Sequence, residues 1–143
     1  MNRALNYLGI ARKAGFLEVG EENTGAAVRG GKAKLLLLAS DASDNARSRA
    51  KGFVMGHRTL IVELPFTKIE ISDCTGKSGC SMAALCDIGI ADSMMQILAA
   101  AEPEKFSELS AEVHRRSEKA AQRKSEAKAH QRNIRTGKRR TRE

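Results

Sequence analysis

The chain of 143 residues is 41% hydrophobic and carries a formal net charge of +8. That length supports one good core, and a second full domain would be short of residues, so one domain with an appendage is expected. Charge interrupts every apolar stretch from Met1 onward. This excludes a secretory leader or a membrane span as readings of these residues and points to a soluble, cytoplasmic protein with no membrane partner.

In chain order, Leu5, Leu8 and Ala11 recur at helical spacing, which predicts a short amphipathic helix over residues 2–15, stopped by Gly15. Residues 20–31 predict a weaker helix, because Gly25 inside it costs about 1 kcal/mol relative to alanine. The apolar run over 34–39 (KLLLLA) suits a central strand covered on both faces. Asp41, Ala42 and Ser43 supply helix-starting oxygens, and Ala46, Ala50 and Phe53 or Val54 supply the stripe of a third helix ending near Gly56.

Residues 59–64 (TLIVEL) predict a second strand, stopped by Pro65. Thr67, Lys68, Ile69 and Glu70 match a capping box opening a brief helix that ends at Gly76. Residues 80–86 (CSMAALC) predict a third strand. Asp87 then caps a helix with Ile88, Ala91, Met95 and Leu98 on one face. Helices alternating with short apolar strands give an α/β fold, a three-layer α/β/α sandwich with a small sheet.

Pro103 marks the edge of the domain, which divides the chain into a 1–101 domain and a 102–143 basic C-terminal extension. The extension is rich in Ala, Glu, Lys and Arg, with too few apolar residues to pack alone. It is expected to be helical over about 104–130 and disordered from about Asn133. Charge divides unevenly: residues 1–101 carry a net of +2 and residues 102–143 a net of +6. Residues 114–142 hold 12 of the 25 Lys/Arg against only Glu118 and Glu126, with no single face on which sequence could be read. A polyanion is the natural partner, and nucleic acid is favoured over a membrane because large apolar residues are scarce. The plain alternative is a solubilising tail.

Little points to catalysis. Cys74, Cys80 and Cys86 are odd in number and six apart, matching neither a disulfide framework nor a CxxC motif, so they read as reduced thiols. Zinc held by these cysteines and His57 would need a fold-back between Cys80 and Cys86. Gly76-Lys77-Ser78 looks like the end of a phosphate-binding loop, but Ile71 stands where that motif needs glycine, and the order helix, loop, strand is reversed. No nucleophile or carboxylate pair can be assembled. A monomeric, non-enzymatic protein without metal or cofactor is expected. Few aromatics leave few platforms for stacking on single strands, whereas basic groups around glycine turns suit phosphate contact and recognition of folded RNA by shape.

The block LGIARKAGFLEVGEENTGAAVRGGKAKLLLLASDASDNARSRA, then Thr67-Lys68-x-Glu70, Gly76-Lys77 and Asp87-x-Gly89-x-Ala91, stand in register over about residues 3–100. Together they resemble the bacterial YlxQ-type branch of the ribosomal L-seven-Ae family. The resemblance implies an α/β/α sandwich, ribosomal or ribosome-associated, that recognises kink-turn RNA, a sharply bent duplex with tandem sheared G·A pairs. It implies contacts from a glycine-led helix start, here Gly20, Glu21, Glu22, Asn23 and Thr24. It also implies contacts from an apolar-tipped loop before the last strand, here Lys77, Ser78, Gly79, Cys80, Ser81 and Met82.

Helix-start amides attract phosphate, and Glu22 and Asn23 can meet guanine and adenine edges. Read without the resemblance, Glu21 and Glu22 merely complement the helix dipole. Lys32 and Lys34 are expected to flank the same end of the sheet as phosphate contacts; otherwise they are an ordinary charged strand edge. One departure stands out: the family's basic residue one turn into that helix is Ala26 here, with Arg29 a further turn along as a substitute. A module that keeps the scaffold but binds protein in place of RNA is therefore the alternative.

Overall fold

The computed structural model describes residues 2–77 and 81–136. The first helix, α1 (Asn2–Ala14), ends at Gly15, whose φ of 82° lies in the left-handed region that glycine enters without a Cβ penalty. The Phe16 amide donates back to the Ala11 carbonyl (2.8 Å) and turns the chain into β1 (Leu17–Val19). Three residues are too few for alternation to register in a sequence, so this strand goes beyond the three expected.

After α2 (Glu21–Arg29) comes β2 (Leu35–Leu38), all four of whose residues are buried. The strand lies inside a four-stranded sheet of order β1-β4-β2-β3. Leu35 and Leu37 pack on one face with Leu8, Leu64, Met95 and Leu98, while Leu36 and Leu38 pack on the other with Ala27, Val28, Ala46 and Ala50. This alternation makes the three layers, and truncating one such leucine to alanine costs about 2–5 kcal/mol.

Ser43 caps α3 (Asp44–Val54) by accepting from the Ala46 amide (3.1 Å). The next strand, β3 (Leu60–Glu63), runs parallel to β2. The expected capping box is present at α4 (Lys68–Thr75): the Glu70 amide donates to Thr67 Oγ1 (3.2 Å) and the Thr67 amide to Glu70 Oε1 (3.0 Å). The mixed sheet is completed by β4 (Met82–Leu85), antiparallel to both β1 and β2. Asp87 then caps α5 (Ile88–Ala101), accepting from the Ile90 amide (2.9 Å).

The last helix described, α6 (Pro103–Thr136), has too few apolar residues to pack alone, yet its first half packs on the domain. Phe106, Ser110 and Val113 are buried at i, i+4 and i+7, and Phe106 and Val113 join the core beneath α1 and α5. Past Ala120 almost every described side chain is exposed. The change expected near Asn133 is not seen, since the helix runs through Thr136; residues 137–143 lie outside the described residues.

Candidate nucleic-acid interface

The glycine-led start of α2 is built by one backbone bond. Gly20 has φ 100° and ψ 158°, a conformation that side chains disfavour, and its amide donates to the Met82 carbonyl at the start of β4 (3.1 Å). The turn is thereby fixed against the sheet, and the first amides of α2 have no partner within the helix. Asn23 is held too: its Nδ2 donates to the Val19 carbonyl (3.0 Å). A carbonyl only accepts, so the amide nitrogen must face Val19, which leaves Asn23 Oδ1 to accept from elsewhere.

Around this turn Glu21 pairs with Arg49 of α3, while Glu22 and Asn23 are exposed. Glu21 and Arg49 line a shallow recess with Asn45 from α3, Lys68 and Ile69 from α4, and Ser81 before β4. Ile69 is 72% exposed there, an apolar group among polar ones. Arg47 shapes the neighbouring loop, pairing with Glu63 and donating to the carbonyls of Ala42 (3.2 Å) and Ser40 (3.1 Å). Sequence alone does not bring Arg49, Asn45, Lys68 and Ile69 together, because they come from two further helices: Asn45, Lys68 and Ile69 stand in first turns and Arg49 in a second.

The structure sorts the expected site residues. Gly20, Glu21, Glu22, Asn23 and Ser81 come together at this end of the sheet. Arg29 reaches back along α2, lining a hollow with Glu21, Glu22 and Phe53. Thr24 is fully buried and Met82 is 1% exposed, so neither presents its side chain at the surface; Met82 serves through its carbonyl. Lys77 is exposed, and Ser78, Gly79 and Cys80 lie outside the described residues.

Lys32 and Lys34 are not where the sequence suggests. The Lys34 amide donates to Leu85 (2.8 Å), at the opposite end of β4 from Met82, because α2 runs the length of the sheet before the chain turns back into β2. There Lys34 faces a groove of about 470 Å³ between the sheet and α6, lined also by His57, Arg58, Arg116, Lys119 and Arg123. Arg116, Lys119 and Arg123 recur at i, i+3 and i+7, which corrects the reading that the tail offers no single basic face.

Burial pushes the Cys74 thiol up, as it does the Cys86 thiol, and Cys74 donates to the Leu5 carbonyl (2.7 Å). Among the described residues no three His, Cys, Asp or Glu side chains are placed to hold a metal, and no helix is long and apolar enough to cross a membrane.

No family model matches the sequence. The chain is 39% identical over 75 residues to the RNA-binding protein YlxQ of Enterococcus faecium, a match spanning 52% of this chain and 72% of that one. It is 31% identical over 86 residues to the large ribosomal subunit protein eL30 of Neurospora crassa, spanning 59% of this chain and 79% of that one. Among solved structures, a Bacillus halodurans protein of unknown function superposes with a TM-score of 0.58 at 23% identity, covering 64% of this chain and 91% of its own. A Giardia lamblia 15.5kD RNA binding protein superposes with a TM-score of 0.55 at 16% identity, covering 69% and 84%. These two likenesses speak for the fold.

Proposed function

The chain belongs to the YlxQ-type branch of the ribosomal L-seven-Ae family, and from this we propose that it is a cytoplasmic, non-catalytic RNA-binding protein acting on or near the ribosome. In this reading it works as a monomer without cofactor, recognises kink-turn-like structured RNA through residues 1–101, and adds general phosphate contacts through residues 102–143.

The observation that carries the reading is the Gly20–Met82 backbone bond with Asn23 held beside it. The unpartnered amides of the α2 start meet phosphate, and Glu22 carboxylate and Asn23 Oδ1 accept from base amino groups. Phosphate contacts fix position while base-edge contacts carry discrimination. A side chain already held to Val19 loses little entropy on binding. Arg29, Lys77 and Ser81 supply further contacts to the backbone.

Replacing Glu22 and Asn23 with alanine tests this. Binding to a kink-turned duplex is expected to weaken by about 1–3 kcal/mol for each good base-edge pairing that the variant can no longer form, with far less change on a straight duplex. Equal weakening on both would reassign the two residues to helix capping.

Exposed Ala26, standing where the family has a basic residue, favours a second reading, a protein-interaction module on the same scaffold. Nuclease treatment of a pull-down separates the two. An RNA module loses its ribosomal partners on digestion, and a protein adaptor keeps them.

A further inference from the structure

Resting on the RNA-binding reading, we propose that the groove between α6 and the far end of the sheet is a second RNA site, one that grips the phosphate backbone of a duplex without regard to sequence. It is separate from the α2 start. The two lie at opposite ends of β4, four residues long, so roughly 10 Å of strand stands between them at ~3.3 Å per residue.

The groove has a fixed shape. Arg116 Nη1 donates to the Arg58 carbonyl (2.6 Å) while its Nε donates to Glu112 (2.7 Å), tying α6 to the loop before β3. On the other wall, Thr59 Oγ1 donates to the Ala33 carbonyl (3.0 Å). With Arg116 so occupied, the free charge comes from Lys34, Arg58, Lys119 and Arg123, none of which has a carboxylate partner among the described residues. Four uncompensated cations converging on one groove repel one another, and a polyanion relieves that repulsion.

The occupant follows from what the groove lacks. It contains no Phe, Tyr or Trp on which a base could stack, and of its apolar lining Val28 and Ala33 are buried and Ile88 and Ala120 half-buried, so no fully exposed apolar side chain awaits a hydrophobic partner. Arg116, Lys119 and Arg123 cover about 10 Å along the helix axis, the scale of a few nucleotides of strand. Backbone phosphate is the ligand that needs nothing more.

The test uses a short straight RNA duplex titrated with the full chain from 50 to 200 mM salt. Lys119→Glu with Arg123→Glu changes charge within the groove. Lys124→Glu with Lys128→Glu makes the same change on exposed positions of the same helix outside it. The groove pair should lower affinity at least tenfold more than the control pair and reduce the log-log salt slope further, by about 0.9 for each phosphate no longer engaged, as on regular DNA duplex. Lys119→Ala with Arg123→Ala should move the same way by less, with helicity preserved by circular dichroism.

Equal weakening from groove and control pairs overturns the proposal, since α6 then acts as a diffuse polycation, and so does no weakening from either. In the groove variant, the effect of Glu22→Ala and Asn23→Ala on kinked RNA reports on the first site independently. Its absence, beside a groove effect, sinks kink-turn recognition and leaves the groove standing. Failure of the unaltered chain to bind any RNA sinks both.

Discussion

The Phe53 ring of α3 occupies the space that a side chain on Gly25 of α2 would need: a Cβ there would come within 2.8 Å of Phe53 Cε1 and 3.1 Å of Arg29 Nη1. A glycine that weakens its helix locally is thus what lets α2 and α3 close on the same face of the sheet. Gly25→Ala should therefore destabilise the protein even though alanine is favoured by about 1 kcal/mol in a helix interior. With Phe53→Ala the obstacle is gone, and the same substitution should stabilise by about that amount. A double-mutant cycle in urea checks the change of sign. Destabilisation in both backgrounds would mean that the ring is not the cause.

Ala26 is exposed one turn into α2, beside the buried Gly25 and Thr24. Lysine there costs only a few tenths of a kcal/mol in helix propensity and adds a cation to the face that presents Glu22. Ala26→Lys should raise affinity for kink-turned RNA and steepen its salt dependence as one added phosphate contact would, roughly 0.9 in log-log slope on regular duplex. Unchanged affinity with helicity intact would place the RNA away from this face.

What the sequence made legible follows the reach of each signal. The KLLLLA run, the Thr67–Glu70 capping box and the Asp87 cap are local chemistry, and each stands where the residues alone put it. The three-residue β1 has no local signal, because pairing with β4 makes it. Lys32 and Lys34 were legible as exposed cations but not as neighbours: whether they join Gly20 depends on α2 spanning the sheet from end to end. The packing of α6 was in the sequence, as Phe106, Leu109, Ser110 and Val113 at helical spacing, and the abundance of charge around them masked it.

His114 of α6 lies between two carboxylates, with Nδ1 3.1 Å from Asp92 of α5 and Nε2 3.0 Å from Glu118. The Asp92 hydrogen bond and charge, with a smaller effect of Glu118, hold its pKa above the ordinary 6.5. A raised value in the folded state means that the folded protein binds the proton more tightly than the unfolded chain. The stabilisation is fully present below pH 6.5 and is lost as pH rises through the raised value. Thermal melts should show the protein losing stability over that interval, and His114→Gln should flatten it. Asp92 is mostly buried and His114 half-exposed, so the effect is modest. An identical pH profile in the variant would show that the pair is not formed in solution.

The packing of α6 also decides where the chain can be cut. Phe106 is 2% exposed and Val113 1%, both against the cluster that contains Met94, Met95 and Leu98. Truncating a buried phenylalanine to alanine costs about 3–5 kcal/mol, against a total stability of about 5–15 kcal/mol for a small domain. A chain ending at Ala101 lacks Phe106, Leu109 and Val113 together and uncovers the face of α5, so it should be unfolded or molten, with weak near-ultraviolet dichroism. Ending the chain at Gln122 keeps this packing and the His114 and Arg116 bonds, yet removes nine of the 25 Lys/Arg against two acids. That protein should melt within a few degrees of the intact one and bind RNA with a flatter salt dependence, by about 3 in log-log slope if a third of the removed charges engage phosphate. Phe106→Ala in the full chain isolates the packing from the charge, and should lower stability by about 3–5 kcal/mol while leaving the salt slope alone. A chain ending at Ala101 that melts like the intact protein would show that α6 rests on the domain without supporting it.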